Sequence, residues 1–438
     1  KGPNAGSSSP RAGSGRGGRS RRRWGTWRRR RGSPGKPGGA GRSSRSSRGR
    51  CSTRRRPVER PGDAGGRTRR ELLVSALGAA CAVAAARVAG PGALLAQDPA
   101  LPAGHPARWW KPLPGSAVAC GLCWRGCRIS EGARGACGVR ENRGGALETL
   151  VHSRPAALGL DPIEKKPFFH VLPGTQAFSL GTVGCNLHCR WCQNWEISQA
   201  RPEEAPVAAL TPEEVARLAR SRGAPVVACT YSEPTVFAEY VFDIAVAARK
   251  AGLRTVVVSN GALREEPLRD LCGVLSAFKV DLKAFSGKTY REECRGDLKA
   301  VLDTLRRLAK AGLWTEIVTL LIPTLNDSDA EIRSLCRFVK CEVGAEVPLH
   351  FTRFHPTYRL TNLPPTPVAT LERARRIALS EGLAFPYVGN VPGHPGESTS
   401  CPGCGAMLIR RVGMATLENR LRKGACPDCA RAIPGVWT

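Results

Sequence analysis

From about residue 176 the chain alternates short apolar runs, rich in Val, Ile, Thr and Phe, with longer stretches in which apolar positions return every three or four residues. Runs of the first kind have the length and β-branched content of buried strands, and stretches of the second kind that of amphipathic helices. The pattern predicts strands over 177–183, 226–230, 255–259, 277–282, 315–322 and 348–354, with helices over 234–251, 298–311, 329–340 and 367–381. Another helix announces its own start. Thr211-Pro212-Glu213-Glu214 supplies an N-cap, a proline at the first helical position and a capping-box glutamate, and Gly223 supplies a stop. Strands that alternate with helices argue for βα units around a parallel sheet. Six of them predict an α/β fold, a partial, TIM-like (βα)6 barrel spanning residues 176–394.

Ahead of this region the pattern fails. Residues 1–66 are Arg, Gly and Ser with almost no aliphatic content, too little apolar surface to offset the entropy of ordering, and a disordered basic leader is predicted. Of the formal net charge of +31, residues 1–70 carry +21, with 23 Lys/Arg against 2 Asp/Glu. The basic excess therefore belongs to the leader, and no nucleic-acid binding is expected of the core. Residues 67–105 form a signal-like segment and linker. Arg69-Arg70 precede Leu72-Leu73, an apolar run over 74–86 and a small-residue stretch, an order that resembles a twin-arginine export signal. The apolar run is too short for a permanent membrane span. The expected location is the cytoplasm, with export through the twin-arginine-like signal as the alternative.

Eleven of the eighteen cysteines fall into three compact groups with metal-ligand spacing, which disfavours a disulfide scaffold. The middle group is Gly184-Cys185-Asn186-Leu187-His188-Cys189-Arg190-Trp191-Cys192, directly after the first predicted barrel strand. Cysteine thiolates hold iron–sulfur clusters, and three of them on one loop leave the fourth iron of a cubane without a protein ligand. An open coordination position is where chemistry can happen. A C-x3-C-x2-C string with an aromatic before its last cysteine resembles the radical S-adenosylmethionine (SAM) superfamily. The resemblance implies that Cys185, Cys189 and Cys192 bind a [4Fe-4S] cluster. The open iron would chelate SAM and cleave it reductively to a 5′-deoxyadenosyl radical, which abstracts hydrogen from a substrate. It further implies cofactor contacts at successive strand ends: Trp191 near the adenine, Ser232 and Glu233 in the place of a Gly-Gly-Glu-Pro segment, Asn260 after the third strand, Asp281 and Lys283 after the fourth, and His355 after the sixth. Ser232 stands where that segment has glycine, so only a backbone contact is implied there. A flavodoxin or ferredoxin is the implied electron donor.

Two four-cysteine groups flank the barrel. Cys120, Cys123, Cys127 and Cys137 lie in an N-terminal element, 106–175, whose spacing suits either a structural zinc or an auxiliary cluster. Cys401, Cys404, Cys426 and Cys429, in the module 395–438, form paired C-x2-C knuckles expected to hold Zn2+ as a zinc ribbon. The scattered Cys51, Cys81, Cys229, Cys272, Cys294, Cys336 and Cys341 are given no role. The whole order, with Cys192-Gln193-Asn194-Trp195-Glu196-Ile197-Ser198, Asp281-Leu282-Lys283-Ala284-Phe285 and the terminal Ile433-Pro434-Gly435, resembles the AmmeMemoRadiSam system radical SAM enzymes, relatives of the pyruvate formate-lyase activating enzymes. A protein substrate is the favoured partner. The alternatives are activation of a glycyl-radical enzyme and a non-catalytic metal-binding scaffold.

Overall fold

The computed structural model describes residues 104–438, so the basic leader and almost all of the twin-arginine-like segment lie outside the described residues. Its centre is an eight-stranded sheet: β1 (Ala157–Pro162), β2 (Gln176–Gly181), β3 (Val226–Cys229), β4 (Arg254–Ser259), β5 (Ala277–Asp281), β6 (Trp314–Leu321), β7 (Leu349–Arg353) and β8 (Pro386–Gly389). The strands follow one another across the sheet in chain order, and all neighbours are parallel except β1, which runs antiparallel to β2. Helices cover the parallel strands, so β3, for example, is buried at every position and reads as an unbroken apolar run.

The six predicted strands are β2 to β7, each within two residues of its expected bounds. The count of six is corrected to eight. β8 has only four residues and opens on a proline, while β1 is an edge strand whose Leu158 and Leu160 face outward, which hides its apolar face from a pattern search. The helix Pro212–Ser221 carries the full capping box, with Thr211 accepting from the Glu214 amide and Glu214 accepting from the Thr211 amide. The predicted helix over 234–251 divides into a 3-10 turn, Pro234–Phe237, and an α-helix, Ala238–Lys250. That over 329–340 is Asp329–Phe338 followed by a π-turn, Val339–Val343.

Two three-stranded antiparallel sheets make up the N-terminal element. One joins Trp110–Pro112, Val118–Cys120 and Arg128–Ile129, and the other His105–Pro106, Ala146–Thr149 and Arg140–Arg143. At the other end, Thr399–Ser400, Met407–Val412 and Ala415–Asn419 form the antiparallel sheet of the terminal module. Leu408 and Ile409 there are fully buried against Phe169, Phe385 and Tyr387.

Candidate active site

Because β2 to β8 are parallel, their carboxyl ends gather on one edge, where barrel enzymes assemble catalytic loops. A cavity of about 800 Å³ opens there. Cys185, Cys189 and Cys192 line it, as do Trp191, Ser232, Glu233, Asn260, Asp281, Lys283 and His355, so every residue expected at the core site faces one space. No fourth cysteine is among the lining residues.

Two glycines permit the close approach of these loops. Gly184, with φ +93°, precedes Cys185, and a Cβ there would meet Val139 Cγ1 at 2.6 Å and the Cys137 carbonyl at 3.0 Å. At Gly181 a Cβ would meet the Thr230 carbonyl at 2.4 Å. The cysteine loop is pinned from the other side as well, since the His188 and Arg190 amides donate to the Cys294 and Glu293 carbonyls at 2.8 and 3.0 Å. Burial pushes the Cys185 thiol well up, and the Glu233 charge adds to it. Positive charge on a bound metal would offset that cost.

Glu233 is buried, and its carboxylate gathers neighbouring loops. Oε1 accepts from the Thr235 amide (2.9 Å), the Thr235 hydroxyl (2.6 Å) and the Ser259 hydroxyl (2.6 Å), and Oε2 from the Asn260 amide (2.8 Å). Oε2 keeps acceptor capacity toward the cavity. Burial raises the Glu233 pKa against these bonds. Asp281 lies between Lys279 (3.2 Å) and Lys283 (3.4 Å). Burial opposes its charge, but the two ammonium groups outweigh it and hold the carboxyl below its ordinary value. For Lys283 burial again opposes the charge, and Asp281 leads the groups that raise its pKa well above normal. His355 is exposed at the rim.

The structure adds residues to which the sequence reading gave no role. Asn186, fully buried, accepts from Asn260 Nδ2 at 2.7 Å, and the same Nδ2 lies 3.9 Å from Cys185 Sγ. Tyr231, held at φ +67°, donates to Asp161 at 2.6 Å, and Asp161 also pairs with Lys165 and Lys166. Cys294, buried, accepts at its carbonyl from the amide of His188, the residue before Cys189. The partners of Asn186, Tyr231 and Cys294 come from distant segments, so spacing within the sequence gave no sign of them. From the terminal module, Gly413 and Met414 reach the same cavity, so that module forms part of its wall.

The two outer cysteine groups differ in geometry. In the terminal module Cys401 and Cys429 sulfurs stand 3.6 Å apart and Cys404 and Cys426 3.7 Å, with all four within 4.8 Å of one another. Among the described residues the remaining group that compact is His105, His152 and Asp243. Asp243 there is taken up by His152 at 2.9 Å and Arg108 at 3.2 Å.

Residues 179–336 match the sequence profile of the radical SAM superfamily. Over 305 residues the chain is 45% identical to an uncharacterized protein of Methanocaldococcus jannaschii, a match that covers 70% of this chain and 91% of that protein. The chain belongs to the radical SAM superfamily. Solved structures with partial similarity include a domain of a pyruvate-formate lyase-activating enzyme from Bacteroides vulgatus, 19% identical, covering 37% of this chain and 98% of that one with a TM-score of 0.34. A radical SAM methyltransferase from Sphaerobacter thermophilus is 17% identical and covers 51% of this chain and 70% of that one, with a TM-score of 0.40.

Membership in the radical SAM superfamily implies a [4Fe-4S] cluster and SAM. The cavity fits both in kind. It presents three thiols and no fourth, the buried Ser232 hydroxyl without a hydrogen-bond partner, and anionic and cationic groups side by side for a zwitterionic ligand. Among the described residues no helix is long and apolar enough to cross a membrane.

Proposed function

We propose that the protein is a radical SAM enzyme in which Cys185, Cys189 and Cys192 hold the cluster and the surrounding strand-end residues hold SAM. The observation that carries this reading is the convergence of three thiols, without a fourth, with Glu233, Asn260, Asp281 and Lys283 in one cavity. When bound, the cluster supplies the electron that cleaves SAM and starts radical chemistry on a substrate. Glu233 Oε2 is the acceptor for the SAM ammonium, and Lys283 is the cation for its carboxylate. Asp281, kept ionised by Lys279 and Lys283, accepts from ribose hydroxyls. Trp191 and His355 flank the base. Within the superfamily, the order of its motifs resembles that of the AmmeMemoRadiSam system enzymes, and this reading takes a protein segment as the substrate and flavodoxin or ferredoxin as the electron donor. The terminal module holds zinc, for which its sulfur spacing is suited.

The test is anaerobic reconstitution followed by reduction. Wild-type protein is expected to release 5′-deoxyadenosine from SAM, and Cys185→Ala, Cys189→Ala and Cys192→Ala each to fall to background with unchanged circular dichroism. Turnover that survives in any of the three sinks the assignment. Incubation with deuterium-labelled cell proteins then reads the substrate class, through deuterium recovered in 5′-deoxyadenosine from protein rather than small-molecule fractions.

A further inference from the structure

We propose that Lys165 and Lys166, gathered on Asp161, form a subsite for an oxyanion, a carboxylate or phosphate group carried by the substrate. That the anion belongs to a substrate rests on the reading of this cavity as a SAM site; that an anion binds does not. Asp161 stands near the end of the edge strand β1, and the 3-10 turn Ile163–Lys165 brings both lysines back to it. Lys165 Nζ donates to Oδ1 at 2.6 Å, and Lys166 Nζ donates to Oδ2 at 2.5 Å. The Tyr231 hydroxyl donates to the same Oδ2 at 2.6 Å. One carboxylate thus holds two ammonium groups side by side, and the set keeps one net positive charge. Glu164, the neighbouring acid, does not neutralise it. Its Oε1 accepts from the Gly174 amide and the Thr416 hydroxyl and lies 3.6 Å from Arg411 Nε. Lys165, Lys166 and Tyr231 all line the cavity, yet holding the cluster and SAM uses none of them.

The surrounding chain is shaped to hold this arrangement. Lys166 is 3% exposed, and its Nζ lies 4.6 Å from the centre of the Tyr231 ring. An ammonium has three N–H donors, so a bond to Asp161 leaves Lys166 with donors for a further acceptor. Tyr231 is held at φ +67°, a conformation that costs energy for a bulky side chain and persists where surrounding contacts impose it. Gly159 makes room for it, since a Cβ there would meet Tyr231 Oη at 2.5 Å. Two ammonium groups on one carboxylate recur in the same cavity, where Lys279 and Lys283 flank Asp281 at 3.2 and 3.4 Å. There Lys283 is the proposed cation for the SAM carboxylate, and by the same chemistry the set at Asp161 takes a second anion. Tyr231 is followed directly by Ser232 and Glu233, so one loop positions the oxyanion subsite and the acceptor for the SAM ammonium. An acidic side chain, a chain-terminal carboxylate and a phosphorylated residue of a substrate segment share the required chemistry.

The test is calorimetric titration of full-length, reconstituted protein in saturating SAM, which occupies Lys283. The probes are acetyl-glutamyl amide, acetyl-phosphoseryl amide and the neutral acetyl-glutaminyl amide. The wild type is expected to bind the anionic probes and not the neutral one, and the tighter of the two names the source of the oxyanion. Lys165→Gln and Lys166→Gln should each weaken that binding about tenfold, the loss of one charge-assisted hydrogen bond, while Lys166→Arg keeps most of it. Lys165 has a side chain 44% exposed, so Lys165→Gln carries the test should Lys166→Gln fail to fold. Equal affinity for neutral and anionic probes, or native affinity in both Gln variants, would overturn the proposal. Repeating the titration on Lys283→Gln without SAM separates the two readings. Anion binding there supports the subsite even if the wild type releases no 5′-deoxyadenosine, a result that would sink the SAM assignment alone.

Discussion

At the scale of single residues, the proposed function gives Glu233 two tasks that pull on one carboxylate. Four donors from Thr235, Ser259 and Asn260 converge on it, and its remaining acceptor capacity faces the cavity. Glu233→Gln keeps the shape but turns an amide donor toward groups that are themselves donors. A loss of about 1–3 kcal/mol of stability is expected, together with weakened SAM binding, read by thermal denaturation and calorimetric titration. A variant with native stability and native SAM affinity would show that neither task depends on the charge. His170 makes a different prediction. It is buried, with Nδ1 donating to the Pro434 carbonyl and Nε2 accepting from the Tyr387 hydroxyl, both at 2.7 Å. Burial, aided by Arg411 and His350 and opposed by Glu316 and the Pro434 carbonyl, pushes its pKa down from 6.5 to about 4. The unfolded chain takes up this proton near pH 6.5 and the folded protein only near pH 4. Stability therefore falls as the pH drops through that window, by about 3 kcal/mol when fully developed. Melting temperatures measured from pH 7.5 to about 4 should show that loss in the wild type and a shallower one in His170→Gln.

Among elements, the terminal module would divide its stability between the proposed zinc ligands and docking. Arg411, fully buried, donates to the Phe169 carbonyl at 2.7 Å and to the Thr399 hydroxyl at 2.9 Å, which ties the strand Met407–Val412 to the barrel. The knuckle around Cys426 and Cys429 has mostly exposed neighbours and would depend on the proposed zinc. Cys404→Ser is expected to release about one zinc and to raise hydrogen exchange most at residues 401–405 and 426–430, with Met407–Val412 the last to open. Uniform exchange across the module would contradict that order. The same contrast explains which elements could be read from the sequence. Strands β2 to β7 are covered on both faces and declare themselves as apolar runs, and the capping box at Thr211 marks a helix start by local chemistry alone. The short helices Glu265–Cys272 and Gly287–Glu293 gave no comparable signal, the first interrupted by Pro267 and the second just seven residues long. The residues named by local motif line one cavity. Asn186 and Tyr231 were missed because their partners, Asn260 and Asp161, lie on other segments, and only the tertiary fold brings them together.

For the whole molecule, the question is what holds the N-terminal four-cysteine element against the barrel. Arg140 stands three residues after Cys137, in the hairpin Arg140–Arg143 and Ala146–Thr149, and Glu239 lies in the first turn of the helix Ala238–Lys250, just after the Glu233 loop. Their side chains are 1% exposed and pair through one guanidinium nitrogen to both carboxylate oxygens at 2.9 Å. The Arg108 backbone closes the set, its carbonyl accepting from Arg140 at 2.9 Å and its amide donating to Glu239 at 2.8 Å. Desolvation of both ions offsets much of their attraction, so the pair fixes a position more than it adds stability, whereas removing one partner strands the other charge in the interior. Arg140→Met is accordingly expected to cost about 3–5 kcal/mol, and Arg140→Met/Glu239→Leu to recover most of that loss. Thermal denaturation reads the cost, and limited proteolysis reads whether residues 104–150 are released before the barrel is cut. If the single substitution costs no more than the double, the buried charge is not what seats the element, and the backbone bridges at Leu122, Cys123 and Trp124 carry that role instead.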